Sequence, residues 1–243
     1  MAIQGKLSRR QIRILIAFAV ALLIAGWSLW SDWQQRQNVS QSPPPASSAN
    51  LASTALGTLP IKGRAPKTGY SRNQFGGDWA NSNGCSSREH ILARDLTQVK
   101  LRSTTDCTVL TGVLNDPYTG KSIQFTRGPD TSGAVQIDHV VAIGDAWQKG
   151  AQQLSFTERV QLYNDPLELL AVDGPTNEQK GDGDAATWLP PNKSYRCRYV
   201  ARQIAVKVRY RLWVTQAEHD AMQRVLGSCP AQQLPVQSAA TGA

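Results

Sequence analysis

Four side chains in the second half of the chain have the types and spacing for hydrolytic chemistry. Asp138 and His139 are adjacent in VQIDHVVA, an apolar run at 135–142. Asn177 and Lys180 stand three apart just after a second apolar run, LELLAV, at 167–172. Cleaving a phosphate ester with one metal ion requires hard oxygen ligands for the cation, a base for the water and positive charge for the anion. Asp138 and Asn177 offer ligand oxygens. His139 is a base that can be neutral near pH 7, and Lys180 is a cation on the same helical face as Asn177. Each also has an ordinary use: an Asp in a loop, a hydrogen-bonded buried His, an Asn cap, a solvated Lys. It is their joint order that points to a site.

The elements that must position them follow from patterning. Neighbouring strand residues face opposite ways, so Asp138 and His139 serve one site only if the strand ends there. The spacing predicts a strand over 134–142, a short strand over 167–172 and a short helix over 174–181. Upstream, Ile91, Leu92, Leu96 and Val99 predict a helix over 86–99 with Ser86 or Ser87 as cap. The runs 107–114 and 121–127 flank the turn NDPYTG and predict a β-hairpin. A helix is expected over Ala146–Gln153. Ser155 with Glu158, and Thr215 with Glu218, match capping boxes. Cys197, Val200, Ala201, Ile204 and Val208 form an apolar helical stripe from Tyr195 onward, and Gly227 ends the last helix.

Taken in order, SRNQFGGDW, GCSSREHILARDL, GVLNDPYTGKSIQF, VQIDHVVAIGDAWQKGA and NDPLELLAVDGPTNEQKGDGDAATWLPPN resemble exported HNH endonuclease family proteins common in actinobacteria. These are related to the C-terminal HNH domain of GmrSD-type restriction endonucleases. The resemblance covers roughly residues 70–229. It implies an α+β fold, a ββα-metal (HNH) core with added helices and a β-hairpin, stapled by two disulfides. It also implies divalent-metal-dependent hydrolysis of DNA, with RNA as the lesser alternative, at little sequence specificity. Asp138 matches the first metal ligand, Asn177 the second, and His139 the general base. One divalent cation is implied, Mg2+ foremost, with Mn2+, Ni2+ or Zn2+ as alternatives. The family pattern has an Asn nine residues before the second ligand, bracing the loop of the base; here that residue is Glu168. An ionised Glu accepts hydrogen bonds and donates none, so Glu168 is an altered brace, a third ligand or a carboxylate orienting His139. The rival function is a catalytically inactive binding or structural module, which this departure favours.

Charge is unevenly placed. The formal charge is +8, yet residues 1–36 carry five Lys/Arg against one Asp, and residues 37–69 add Lys62, Arg64 and Lys67 with no acid. The basic balance is therefore weak evidence for nucleic acid. Residues 165–184 hold six acids and one base, whereas residues 193–211 hold seven bases and no acid. Within the basic stretch Arg198, Arg202 and Arg209 lie near one helical face and suit phosphates; the ordinary alternative is a solvated helix. Trp188 and Tyr195 suit base stacking or, more simply, core packing. Asp173, Asp182 and Asp184 suit turns or outer positions about a cation.

Ile14–Trp30 is a charge-free apolar run preceded by Lys6, Arg9, Arg10 and Arg13. It is expected to anchor the chain in a membrane with the rest outside, in a segment spanning residues 1–33; a cleaved signal peptide, giving a secreted protein, is the alternative. Residues 34–69 are rich in Ser, Pro, Ala and Gln and are expected to be a disordered tether, with 230–243 as a disordered tail. No protein partner can be inferred. Cys85, Cys107, Cys197 and Cys229 lack zinc-finger spacing. Outside the cytoplasm an even number suggests disulfides, with Cys85–Cys107 and Cys197–Cys229 favoured by order and proximity, and free thiols as the alternative.

Overall fold

The computed structural model describes residues 26–28, 30, 51–103 and 105–235. The chain divides into two units, residues 1–46 and 47–243. In the first, residues 26–28 and 30 are helical, and the rings of Trp27 and Trp30 lie 6.0 Å apart. The anchor expected over Ile14–Trp30 falls mainly outside the described residues. Among those described, no helix is long and apolar enough to cross a membrane.

The second unit is α+β. It opens with helix α1 (Ala52–Leu56), whose Ala52, Ala55 and Leu56 are buried together with Leu59. Residues 51–69 are thus not the tether expected. Leu51 bridges to Gln233, Ile61 bridges to Val214, and Trp213 donates to the Gly63 carbonyl. Few apolar side chains were needed to dock this stretch, and so its composition gave no periodic signal. The same Leu51–Gln233 bridge takes the start of the expected tail into the fold.

A two-residue ribbon pairs β1 (Asn81–Ser82) with β2 (Cys85–Ser86). Helix α2 (Ser87–Asp95) starts from Ser86, which accepts the Glu89 amide. It ends four residues short of the expected limit, because Leu96 and Val99 belong to β3 (Leu96–Ser103), paired with β4 (Asp106–Asn115). The expected hairpin is present as β4 and β5 (Ser122–Thr126), in a sheet of order β3-β4-β5. Strand β6 (Val135–His139) is followed by helix α3 (Ile143–Gln148), which lies earlier than expected, and by helix α4 (Phe156–Asn164) under the complete Ser155–Glu158 capping box.

Strand β7 (Leu169–Asp173) returns antiparallel to β6, with Asp138 opposite Leu170 and His139 opposite Leu169. Helix α5 (Gly174–Lys180) follows without a linker, Asp173 capping it through the Thr176 amide. Gly174 sits against the Gly133 carbonyl oxygen, where any Cβ would collide, so α5 is held close to the start of β6.

Helices α6 (Arg196–Arg209) and α7 (Gln216–Gly227) complete the fold, joined by the Cys197–Cys229 disulfide; Cys85–Cys107 ties β2 to β4. Tyr199, Val200, Ala201 and Ile204 of α6 are buried, but Val208 faces solvent, against the expected stripe. The second capping box is half made. Thr215 accepts the Glu218 amide, while the Glu218 side chain is drawn inward to two lysines.

Candidate active site

Strand β6 ends at His139 with its last two residues still paired to β7, so the Asp138 side chain meets α5 and Tyr118 while the His139 ring lies between Trp79 and Tyr163. Gln136 and Asp138, two apart, both meet helix α5. Asn177 donates to Gln136 Oε1 at 2.9 Å, and Lys180 Nζ lies 2.8 Å from Asp138 Oδ1 and 2.8 Å from the His139 carbonyl oxygen. The second Asp138 oxygen accepts the Tyr118 hydroxyl at 2.5 Å. Burial and the Asp138 carboxylate push the Tyr118 phenol well above its ordinary range, so it stays a donor. Asp138, His139 and Lys180 are each less than 7% exposed.

His139 lies between aromatic rings. Trp79 stacks parallel to it with centroids 5.8 Å apart, and Tyr163 packs at 4.3 Å. Its Nε2 is 2.9 Å from the Tyr163 carbonyl oxygen, which can only accept, so Nε2 carries the hydrogen and the lone pair remains on Nδ1. Burial lowers its pKa to about 3; the Tyr163 carbonyl opposes this, and the charges of Lys180 and Arg72 reinforce it. The imidazole is therefore neutral at pH 7.

Glu168 is fully buried, and its Oε2 accepts the Val141 amide at 3.1 Å. Burial raises its pKa well above normal, and the Val141 hydrogen bond and the Lys180 charge offset this only in part. This direction favours the protonated carboxyl. Glu168 Oε2 holds the residue two beyond His139, and among the described residues its Oε1 has no hydrogen-bond partner. Its segment is clamped by Arg94 and Arg202, which both donate to the carbonyls of Pro166 and Leu169.

The basic face of α6 is correspondingly reduced. Arg202 also donates to the Leu167 carbonyl at 2.6 Å, so its guanidinium is committed to the backbone, contrary to the expected phosphate role. Arg209 pairs with Asp165 at 3.2 Å. Arg198 is exposed over the Tyr195 ring. Tyr195 and Trp188 pack in the core against Tyr118. Asp173 caps α5, Asp182 pairs with Lys67 at 2.6 Å, and Asp184 is buried elsewhere.

Sequence reasoning missed Tyr118, Trp79 and Tyr163, which reach the site from three separate segments. It also missed a buried ionic network. Lys149, fully buried, contacts Asp145, Asp184 and Glu218 at 2.8, 2.7 and 2.6 Å. Lys207, also fully buried, contacts Glu218 at 3.0 Å and Asp145 at 3.6 Å. Arg64 closes the set on Asp145 and Asp184. Burial alone would raise the Asp184 pKa, but the hydrogen bond and charge of Lys149, with Arg64, carry it down to about 2.

A divalent cation fits these residues poorly. Mg2+ keeps several waters and is held by one or two carboxylates, so it needs at least one carboxylate oxygen free to bind it. Asp138 already shares one oxygen with an ammonium and the other with a phenol. The Asn177 Nδ2 is turned to Gln136, and the Glu168 Oε2 is turned to the Val141 amide. Among the described residues no three His, Cys, Asp or Glu side chains are grouped to hold a metal.

An α+β domain with an Asp-His strand end, a returning strand and an immediate helix bearing Asn and Lys is the class that fold and site define. Residues 86–225 match the model of the GmrSD restriction endonucleases, C-terminal domain, and the chain belongs to that family. It is 36% identical over 191 residues to an uncharacterized secreted protein of Arthroderma benhamiae, covering 77% of this chain and 89% of that one. The expected actinobacterial kinship is not part of these findings. No solved structure matches the chain significantly.

Proposed function

We propose that the chain is a nuclease acting outside the cytoplasmic membrane, on DNA in preference to RNA and with little sequence preference. The observation that carries this is His139, a neutral imidazole at a strand end whose Nε2 is fixed on a carbonyl and whose Nδ1 lone pair is left to accept a proton. The family supports a nuclease-like role. The secreted relative and the two disulfides support export, and the run Ile14–Trp30 serves as a signal anchor, or as a cleaved signal that releases the domain. The order β6, β7, α5 supports a ββα unit of HNH type.

In this reading a water gives its proton to Nδ1 of His139 as its oxygen bonds to phosphorus. The bond to the leaving ester oxygen breaks, and that oxygen takes a proton from solvent. A base with a pKa near 3 is weak at pH 7, and Trp79 covers one face of the ring. The segment Gly76–Gly84 that carries Trp79 has positive φ at Gly76, Gly77, Asn83 and Gly84, and its Ala80 amide is held by Asn164. Lifting it hydrates His139, raises its basicity and opens a path to the phosphate. A groove of about 540 Å³, lined by Ala80, Glu158, Asn164, Asp165, Arg209 and Arg211, lies beside this segment, its two arginines paired with Asp165 and Glu158.

The second reading is a non-hydrolytic module of the cell envelope, favoured by the burial of Asp138 against Lys180. The full chain, incubated with supercoiled plasmid and with single-stranded RNA, decides between them. Cleavage is expected with DNA, reduced about 10²–10⁴-fold by His139→Ala, and Trp79→Ala should increase modification of His139 by diethylpyrocarbonate. If neither substrate is cut, with chelator or with any of Mg2+, Mn2+, Ni2+ and Zn2+, the second reading takes its place.

A further inference from the structure

The poor fit of a metal to this site has a specific cause. In β6, Gln136 and Asp138 present the same face to α5, and the helix answers them with Asn177 and Lys180 in register. The residue opposite Asp138 is Lys180, so a positive charge is already fixed where the strand's only carboxylate would receive a cation. The ammonium is 3% exposed, 2.8 Å from Asp138 Oδ1 and 2.8 Å from the His139 carbonyl oxygen, a two-point seat formed by consecutive residues of the strand end. The other Asp138 oxygen is closed by Tyr118, which is itself fully buried. A divalent ion entering here would meet a like charge at contact distance in a region of low dielectric, where such repulsion is several times stronger than in water.

We infer that the Lys180 ammonium is the resident cation of this site, taking the place of a divalent metal on Asp138, so that the site works without one. The inference rests on the nuclease reading for its chemistry but not for its geometry. Lys180 holds the carboxylate and the His139 carbonyl together, fixing the strand end from which the imidazole projects, and it supplies fixed positive charge beside the place where an anionic phosphate meets His139. The arrangement fits a carboxylate, a lysine and a phenol buried together, since one ammonium is matched by one anion and a few neutral acceptors, and the other buried acid nearby, Glu168, is turned to the Val141 amide.

The test uses Mn2+ as probe and the full chain in detergent, with bound ion counted by electron paramagnetic resonance and cleavage of plasmid followed separately. The native chain is expected to bind no Mn2+ that Asp138→Asn removes, and its cleavage is expected to survive chelator. Lys180→Gln frees Asp138 and should tighten Mn2+ binding at least about tenfold, a gain lost in the Lys180→Gln/Asp138→Asn double variant; Lys180→Arg, which keeps the charge, should show no gain. A native chain that binds one Mn2+ through Asp138 overturns the inference and leaves the nuclease reading intact. So does a folded Lys180→Gln variant without the gain. Absence of all cleavage sinks the nuclease reading, while the native and Asp138→Asn chains still decide what occupies the site, even if Lys180→Gln fails to fold.

Discussion

The fold buries two groups of charged side chains, and they differ in balance. Under α3, α6 and α7, Lys149, Lys207 and Arg64 face Asp145, Asp184 and Glu218, three cations against three anions, with each buried ammonium bonded to more than one carboxylate. At the end of β6 a single Lys180–Asp138 pair sits among a neutral imidazole, a neutral carboxyl and a phenol, beside a glycine-rich segment. The first group is satisfied from all sides and links α3, α6, α7 and the segments of Arg64 and Asp184. The second holds groups whose shifts favour their uncharged forms, His139 and Glu168, including a base with an available lone pair. Buried charge by itself therefore does not mark a site in this protein. What sets the second group apart is that its shifts favour the uncharged forms of His139 and Glu168.

The sharpest way to break this contrast is to unbalance the network. Lys149→Met leaves three carboxylates with one buried and one partly exposed cation. Removing one partner of a buried ion pair costs about 3–5 kcal/mol, which for a domain of this size lowers the thermal midpoint by about 10 °C or more. Any surviving folded fraction should keep its cleavage rate. His139→Ala should show the opposite pattern, with cleavage lost and the midpoint shifted far less. If Lys149→Met melts with the native chain, the network is not what holds these helices.

A smaller effect separates a neutral Glu168 from an ionised one. Its folded pKa is raised, so the folded state binds a proton that the unfolded state releases above about pH 4.5, and native stability is lost as pH rises from there. His139 is shifted down, from 6.5 to about 3, so stability is lost as pH falls through that window. The two slopes oppose each other between about pH 4.5 and 6.5. Glu168→Gln removes the first and keeps the second. Its stability relative to the native chain should rise by up to about 1.4 kcal/mol per pH unit above pH 5, measured by urea unfolding between pH 5 and 8. A flat difference would mean that Glu168 is ionised and orients His139 as a carboxylate.

What was legible in the sequence was local. The Ser155–Glu158 box, the β4–β5 hairpin and the Asp138–His139 strand end all follow from signals close together in the chain, while the cysteine pairs, 22 and 32 residues apart, follow from chain order and compartment. The rest depends on partners far apart in the chain. Lys149 and Lys207 read as ordinary polar positions, because nothing near them in sequence indicates that Glu218, 69 residues from Lys149, waits inside. Glu218 itself satisfies the capping pattern but is drawn away by stronger partners. Helix α2 ends at Asp95 because Leu96 and Thr97 pair with Leu114 and Val113 of β4, which an apolar period cannot show. Trp79 and Tyr118 carry no positional signal toward His139 or Asp138 at all.

The smallest expected effect concerns the arginines of α6, and it turns on where each guanidinium is spent. Arg202 donates to three backbone carbonyls in 166–169, the segment that delivers Glu168, and shares two of them with Arg94. Arg198 is exposed and lies over the Tyr195 ring. A phosphate contact made by an arginine releases about one counterion, so losing it lowers the salt slope of DNA binding by about one unit. Arg198→Ala should therefore reduce that slope by at most about one unit and leave the thermal midpoint within a degree or so. Arg202→Ala should leave the slope nearly unchanged and cost about 1–3 kcal/mol of stability, since the carbonyls lose charge-assisted donors. Fluorescence titration of labelled duplex between low and moderate salt, paired with thermal melts, reads both. If Arg202→Ala flattens the slope without loss of stability, its hold on the backbone yields to phosphate, and the basic face of α6 is a nucleic-acid surface after all.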